Sequence, residues 1–196
     1  MPEPKPVSIR VPRPAVADAA TAERQRLPDP DDPDPHAAAA TWLPHAVADA
    51  LMPLAAIALI RDDGGRLLLV KQRGGPFAGS WLLPGGRAAD DESATHALVR
   101  EVREETGLAM TDASYVAGYR TRGDGYDLTV LIYRGPASGT LLAERGSDAA
   151  WFEVDAIPDP HPALRRQLFD ADVRADDDGS IAAALRAAGI TMERLD

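Results

Sequence analysis

The sequence contains no cysteine, only two lysines (Lys5 and Lys71), and no long apolar segment. Without cysteine the protein has neither disulfides nor thiolate metal sites, so a bound metal must use oxygen or imidazole ligands. A bilayer-spanning helix needs roughly 18 apolar residues, whereas the longest apolar run, 54–60, has the length of a strand. The first ten residues also lack the apolar segment of a signal peptide. We therefore expect a cytoplasmic protein with no membrane partner.

The charge balance is acidic, with a formal net charge of −10 at pH 7. A surface for nucleic-acid polymers would need clustered lysine and arginine to neutralise phosphates. Small phosphorylated ligands remain compatible with this charge, because a few arginines and a bound cation can offset a locally acidic site. The predicted partner is a small molecule rather than a polymer, and the oligomeric state is left open.

A chain of 196 residues without an internal repeat predicts a single core. Residues 1–45 are rich in Pro, Ala and Asp and include PDPDDPDP at 28–35, which predicts a disordered extension whose removal leaves the fold intact. The alternative is a tail that docks a partner. Residues 46–172 form the predicted domain, and an acidic loop with a helix follows at 173–196.

Apolar periodicity and turn residues predict an α/β fold in which helices cover both faces of a mixed sheet. A short helix is predicted at 46–52, and a hairpin at 54–60 and 67–70, joined by the Asp-Gly and Gly-Gly turn signals of RDDGGR. Further strands are predicted at 81–83, 115–119, 128–133 and 150–154, and further helices at 94–105, 162–171 and 180–188.

The stretch LPGGRAADDESATHALVREVREETGL (83–108) gathers three glutamates on one predicted helix. Ser93 is a plausible N-cap and Gly107 a left-handed C-terminal residue, which together define the helix ends. At about 100° per residue the three carboxylates fall within an arc of roughly 100°, beside the apolar face. Repulsion between them is poorly screened at the edge of a core, and a divalent cation would relieve it. The glutamates are Glu101, Glu104 and Glu105.

Magnesium is the cation that this ligand set predicts, with Mn²⁺ as a substitute. Hard oxygen donors in small number leave coordination positions for water and for substrate phosphates. The alternative for three such glutamates alone is a solvated acidic helix face. The spacing of the surrounding residues favours the metal site.

That spacing is Gly86, five residues, Glu92, seven residues, and then the run REVREETGL at 100–108. It fits the pattern Gx5Ex7REUxEExGU, where U is a bulky aliphatic residue, at every specified position. The chain here resembles the Nudix hydrolases. The predicted hairpin before this motif and the segment WFEVDAIP at 151–158 are also similar to that family, so the resemblance extends over residues 53–171.

The resemblance implies an α/β/α sandwich around a mixed β-sheet. It also implies that water cleaves a nucleoside diphosphate linked to another group. By correspondence with the family's motif, the metal ligands are Glu101, Glu104, Glu105 and the carbonyl of Gly85. Gly86, Glu92 and Arg100 match positions that support the site, the last two as a pair that braces the loop against the helix.

The sequence offers several candidates for the general base. One carboxylate must accept a proton from the attacking water, and within the motif Glu104 or Glu101 is best placed. Members of the family can also supply the base from a loop after the motif. Here that loop offers Glu144, which we favour, and Asp148; an ordinary exposed acid is the alternative for each.

Three residues outside the motif are candidates for substrate binding. Arg73, at the end of the hairpin, is placed to reach a phosphate, and a solvated strand-end arginine is its alternative. Trp81 is a candidate for stacking on a base, with a core anchor as its alternative. Tyr126 lies where some dinucleoside-polyphosphate-cleaving members carry a tyrosine, and a turn residue entering a strand is its alternative. Where ADP-ribose-cleaving members carry a proline, this chain has Gly123 or Asp124, which disfavours that substrate.

The sequence thus predicts magnesium-dependent hydrolysis of a phosphoric anhydride in a small nucleotide. A nucleoside triphosphate is the first choice of substrate, followed by dinucleoside polyphosphates or a nucleotide sugar. The alternative is a Nudix-fold sensor or regulatory module that binds a nucleotide without cleaving it.

Overall fold

The computed structural model describes residues 24–29, 31, 53–90, 92–142, 148–175 and 179–195. Across these ranges no helix combines the length and the apolar character needed to cross a membrane. The predicted helix at 46–52 lies outside the described residues. The strands are β1 (Gln25–Arg26), β2 (Leu54–Leu59), β3 (Leu67–Lys71), β4 (Trp81–Leu82), β5 (Gly85–Arg87), β6 (Asp112–Gly123), β7 (Tyr126–Arg134), β8 (Ala149–Phe152) and β9 (Thr191–Arg194), and the helices are α1 (Ala94–Thr106), α2 (Pro162–Asp170) and α3 (Ser180–Ala187).

The strands form two sheets. The larger is mixed, in the order β1-β6-β7-β2-β5 with β9 also paired to β6, and β2 and β7 are its parallel pair. The smaller is antiparallel, in the order β4-β3-β8. The predicted α/β fold with a mixed sheet is confirmed.

Helices cover opposite faces of the larger sheet because successive side chains of a strand point to opposite sides. Ala56 and Ala58 of β2 are buried in the cluster that contains Leu98 and Val102 of α1. Leu59, one residue later, belongs instead to the cluster that contains residues of α2. The central strands are therefore buried on both faces, which is why they read as continuous apolar runs.

The predicted hairpin is formed only at its turn. Arg61 and Leu67 make an antiparallel bridge, and the Asp62 amide donates to the Arg66 carbonyl at 3.0 Å. Beyond the turn the strands separate: β2 joins the larger sheet, and β3 joins the smaller one. Because β5 and β7 occupy both edges of β2, no edge is left for β3.

Part of the extension predicted to be disordered is packed against the domain. Gln25 and Arg26 pair with β6, and Leu27 is only 6% exposed, in the same cluster as α1. The prediction is therefore wrong for these residues. The surrounding Pro and Asp residues predict disorder, but Leu27 is buried and the strand at 25–26 forms by pairing with β6, which is distant in the sequence.

At the other end of the chain, β9 extends the coverage of β6 by pairing with Tyr119–Arg122. Ile181 and Leu185 of α3 form a small cluster with Ile190, against which Phe169 packs. The predicted helices at 94–105, 162–171 and 180–188 are confirmed to within one residue at their ends. Strands β5 and β9 were not predicted, because Gly-Gly-Arg and Thr-Met-Glu-Arg lack an apolar run.

Candidate active site

Helix α1 carries the three glutamates, and local interactions define its ends. The Ser93 hydroxyl accepts a hydrogen bond from the His96 amide at 3.2 Å, as an N-cap residue does. Gly107 follows the last turn in the left-handed conformation, and its amide donates to the Arg103 carbonyl at 2.8 Å. The capping residues expected from the sequence thus set the helix that presents the carboxylates.

Strand β5 brings a glycine pair against this helix. Gly85 pairs with Ile57 of β2 at φ +138°, and a Cβ there would overlap the Ala56 carbonyl. A Cβ at Gly86 would overlap the carboxylate of Glu101. Only glycine permits both approaches. The loop can therefore lie directly on the glutamate-bearing face of the helix.

Arg100 fastens the loop to the helix. Its Nε and Nη2 donate to the two carboxylate oxygens of Glu92, each at 2.8 Å, and Nη2 also donates to the Arg87 carbonyl at 3.0 Å. The Ala89 amide adds a third hydrogen bond to Glu92 at 3.0 Å. The hydrogen bonds from Arg100 lower the pKa of Glu92 against the opposing effect of burial. This two-point contact has the geometry of the strong arginine–carboxylate pairs.

The remaining nitrogen of the same guanidinium reaches two of the predicted metal ligands. Arg100 Nη1 lies 2.7 Å from Oε1 of Glu101 and 3.3 Å from Oε2 of Glu104. The Glu101 side chain is 20% exposed and that of Glu104 is 55% exposed. Burial raises the pKa of Glu101, and the charges of Glu104 and Glu92 act in the same direction, while Arg100 opposes them.

Glu105 contacts the glycine loop on another side. Its Oε2 accepts a hydrogen bond from the Gly85 amide at 2.9 Å. The loop residue predicted to offer a carbonyl to a metal therefore touches one of the predicted carboxylate ligands through its N–H group. This contact couples the position of the loop to the orientation of the Glu105 carboxylate.

The donor chemistry of this cluster fits a hard divalent cation, although the side chains are not gathered around one point. Within the described ranges, no group of three histidine, aspartate or glutamate side chains is arranged to hold a metal ion. The carboxylates of Glu101 and Glu104 are instead satisfied by Arg100. Their oxygens are hard ligands, and burial raises the pKa of Glu101 even though Arg100 acts in the opposite direction. A cation would compete with Arg100 Nη1 for these oxygens.

The candidates for the general base differ in their location and exposure. Glu104 is at the exposed edge of the cluster. Glu144 lies outside the described residues, and its role as general base stays a prediction. Asp148 is exposed just before β8, and its carbonyl accepts a hydrogen bond from the Lys71 amide at 2.9 Å.

A cavity of about 400 Å³ adjoins the glycine loop. Residues of β2, β5, β6 and β7, which belong to the larger sheet, line it together with residues of α2. Its walls are largely apolar, with a few polar side chains, as in small-molecule sites. The lining residues include Gly85, Gly86, Arg87, Phe77, Leu83, Thr121, Tyr126, Val130 and Gln167.

The structure separates the three predicted substrate contacts. Tyr126 lines the cavity. Arg73 is exposed and lies between Gln72 and Gly74, which line the cavity, but is not itself part of the lining. Trp81 also lies outside the lining and packs against Phe152, with ring centroids 4.8 Å apart.

Among the cavity residues that sequence analysis did not identify are Phe77, Thr121 and Gln167. Phe77 stands in a glycine-rich loop, Thr121 in a strand and Gln167 in a helix, and nothing local marks any of them as functional. The only signal available was the polar character of Gln167 within the predicted helix at 162–171, since Thr121 lies beyond the strand predicted at 115–119. Thr121 and Gln167 are both buried, at 4% and 7% exposure.

Comparison with known proteins agrees with the motif. The family model for the NUDIX domain matches residues 51–171. The CTP pyrophosphohydrolase of Escherichia coli is 34% identical over 117 residues, covering 59% of this chain and 82% of that protein. The ADP-ribose pyrophosphatase of Methanocaldococcus jannaschii is 30% identical over 112 residues, covering 55% of this chain and 66% of that protein.

The fold gives the same answer. The crystal structure of a MutT Nudix hydrolase from Burkholderia pseudomallei superimposes with a TM-score of 0.55 at 29% identity, covering 60% of this chain and 96% of that one. The superposition thus includes nearly the whole of that solved Nudix hydrolase. With the complete motif on α1 and its loop, these matches establish that the chain belongs to the Nudix hydrolase family.

Proposed function

We propose that the protein hydrolyses a phosphoric anhydride bond in a nucleoside diphosphate linked to another group, with magnesium as cofactor. The observation that carries this proposal is the placement of Glu101 and Glu105 against the Gly85–Gly86 loop, which lines the cavity. The motif thus puts acidic oxygens beside a space able to receive a small nucleotide.

The metal would be held by Glu101, Glu104 and Glu105, with the Gly85 carbonyl as a further ligand and Mn²⁺ as a substitute. Divalent metals are the general cofactors of Nudix hydrolases. When bound, such an ion neutralises phosphate charge and lowers the pKa of coordinated water.

The protein residues then have separate roles. Arg100 and Glu92 hold the loop in register with the helix through their paired hydrogen bonds. A carboxylate must take the proton of the attacking water, and Glu104, Glu101 and Glu144 are the candidates. Arg73 and Trp81 remain proposed substrate contacts beyond the cavity, and Tyr126 a contact within it.

A nucleoside triphosphate is the proposed first substrate. The relative with 34% identity is named for pyrophosphohydrolysis of CTP, a compound of this class. Another relative is named for ADP-ribose, but this chain has Gly123 or Asp124 where ADP-ribose-cleaving members carry a proline. Dinucleoside polyphosphates and nucleotide sugars come next.

A non-catalytic nucleotide sensor is the competing proposal. One observation favours it: Arg100 Nη1 contacts both Glu101 and Glu104, so these carboxylates have a partner in the protein itself. A sensor would keep the cavity and its affinity for nucleotides. Its Glu101 and Glu104 carboxylates could stay bound to Arg100 and would not need to bind a cation.

Incubation with magnesium and a panel of nucleotides, with measurement of released phosphate and pyrophosphate, tests the two proposals. We expect turnover that disappears with a metal chelator and in Glu104→Gln. The matched control is Glu153→Gln, a glutamate near β8 outside the motif, which should retain turnover. Nucleotide binding without turnover under any divalent ion would favour the sensor.

A further inference from the structure

Two hydroxyl groups at the cavity are buried without a hydrogen-bond partner. Thr121 Oγ1 and Tyr126 Oη each have essentially no exposed surface, and neither forms a hydrogen bond within the described part of the protein. Both residues line the cavity next to the glycine loop. They come from adjacent strands, β6 and β7, so a single wall of the cavity carries both groups.

Such groups are costly to a fold. A buried hydroxyl that has lost its water and gained no partner destabilises the native state, whereas an apolar side chain of the same shape does not. Valine in place of Thr121 and phenylalanine in place of Tyr126 would fill nearly the same volume. Packing therefore does not account for either hydroxyl, and each needs a separate explanation.

The position of Tyr126 is closely defined. Gly123 is its partner across the hairpin of β6 and β7, and a Cβ at Gly123 would overlap the tyrosine ring. The ring of Phe77 lies 5.0 Å from that of Tyr126, and His161 packs edge-on against Phe77 at 5.3 Å. Glycine on one side and an aromatic ring on the other hold the phenol in place before any ligand arrives.

The chemistry of the wall suits a neutral heterocycle rather than a phosphate. Arg87 is the only charged residue among the described residues that line the cavity. The other side chains offer apolar surface and neutral polar groups, among them the buried amide of Gln167. Burial also raises the pKa of Tyr126, so its phenol stays protonated and can donate. A nucleobase presents the flat ring and the mixed donor and acceptor edge that such groups recognise.

We propose that Thr121 and Tyr126 are specificity-determining residues whose hydroxyls hydrogen-bond the polar edge of the substrate's base. The inference rests on the proposed function only in taking the substrate to be a nucleotide. With the base against β6 and β7, the phosphates extend past the Gly85–Gly86 loop toward α1. Tyr126 thus acts on the base and not on the anhydride.

The test compares Thr121→Val and Tyr126→Phe with Tyr119→Phe. The control tyrosine lies on the same strand as Thr121, but its hydroxyl donates to Asp170 at 2.5 Å. We expect Thr121→Val and Tyr126→Phe to keep or raise the thermal midpoint and to lower kcat/KM for the preferred nucleoside triphosphate about 3- to 10-fold, mainly through KM. Inhibition by inorganic tripolyphosphate, which has no base, should not change. Tyr119→Phe should lower the midpoint and leave the preference among the four nucleotides intact.

Binding of nucleoside monophosphates, measured by titration calorimetry without added metal, separates this inference from the proposed activity. If the wild type binds a monophosphate but hydrolyses nothing, the proposed function fails and the inference is judged on binding alone. Weaker binding to both variants supports it. Unchanged affinity and unchanged nucleotide preference in both variants would overturn it, as would the absence of any monophosphate binding to the wild type.

Discussion

Arg100 and Glu92 form a two-point contact in which Nε and Nη2 of the arginine each lie 2.8 Å from a different carboxylate oxygen. The contact joins the start of the motif to the middle of α1, and the third nitrogen of the same guanidinium reaches Glu101. One side chain therefore fixes the loop and also influences a predicted metal ligand.

Arg100→Lys should lower both stability and turnover. A lysine ammonium cannot make the paired contact, and Glu92 would lose hydrogen bonds while remaining largely buried. We expect the free energy of unfolding to fall by about 1–3 kcal/mol, measured by chemical denaturation. Arg103→Lys is the matched control, because Arg103 lies on the same helix in an exposed pair with Asp31 and should change stability by less than about 0.5 kcal/mol. Equal losses in the two variants would contradict a bracing role for Arg100.

The same pair predicts a pH dependence. The pKa of Glu92 is lowered from its ordinary value of 4.5, so the folded protein binds this proton less readily than the unfolded chain. Its stabilising contribution is therefore complete above about pH 4.5 and is lost as the pH falls through the lowered pKa. Denaturation of Glu92→Gln between pH 3 and 7 should give a smaller loss of stability on acidification than the wild type shows. Parallel profiles would mean that Glu92 does not contribute.

Magnesium should raise the thermal midpoint of the wild type if the glutamates hold a cation, because binding to the native state stabilises it. Glu101→Gln and Glu105→Gln should fold, since each removes negative charge from a crowded edge, but they should lose most of the magnesium-dependent shift. Their turnover should fall together with that shift. Glu104→Gln should reduce turnover, with a smaller effect on the shift if it is the base. A wild type insensitive to millimolar magnesium, with normal turnover in Glu105→Gln, would leave the cluster as a solvated face.

Glu144 and Asp148 distinguish two positions for the general base. Loss of a general base lowers kcat by about 10²- to 10⁴-fold without removing a metal ligand. If the loop supplies the base, Glu144→Gln should show that loss while keeping the magnesium-dependent thermal shift, and Asp148→Asn should remain near the wild-type rate. Normal kcat in both variants would assign proton transfer to the motif itself.

The segment around Leu27 should contribute to stability, contrary to the expectation from composition. Leu27→Ala removes a buried side chain from the cluster beside α1 and should cost about 2–4 kcal/mol. Deleting residues 1–31 should lower the thermal midpoint because it removes Leu27 and β1. Deleting residues 1–23, which leaves both in place, should not. An unchanged midpoint after the longer deletion would show that β1 and Leu27 are dispensable.

Local features of this protein can be predicted from its sequence alone. The ends of α1 follow from Ser93 and Gly107, and its three glutamates share one side because a helix has a fixed angular increment per residue. The spacing from Gly86 to Leu108 was sufficient to indicate the family. Central strands were recognisable from their apolar runs, because burial on both faces leaves little room for polar residues.

Strand pairing and the contacts between distant residues depend on the packing of the whole domain. Strands β1, β5 and β9 have weak local signals and exist because β6 and β2 offer them edges; β2 and β3 separate because both edges of β2 are taken. The cavity combines Phe77, the hairpin residues Thr121 and Tyr126, and Gln167 from three separate parts of the chain. The contact of Arg100 with three carboxylates likewise depends on how the loop is folded back onto the helix. Long-range packing sets these relationships, and a pattern of neighbouring residues does not encode them.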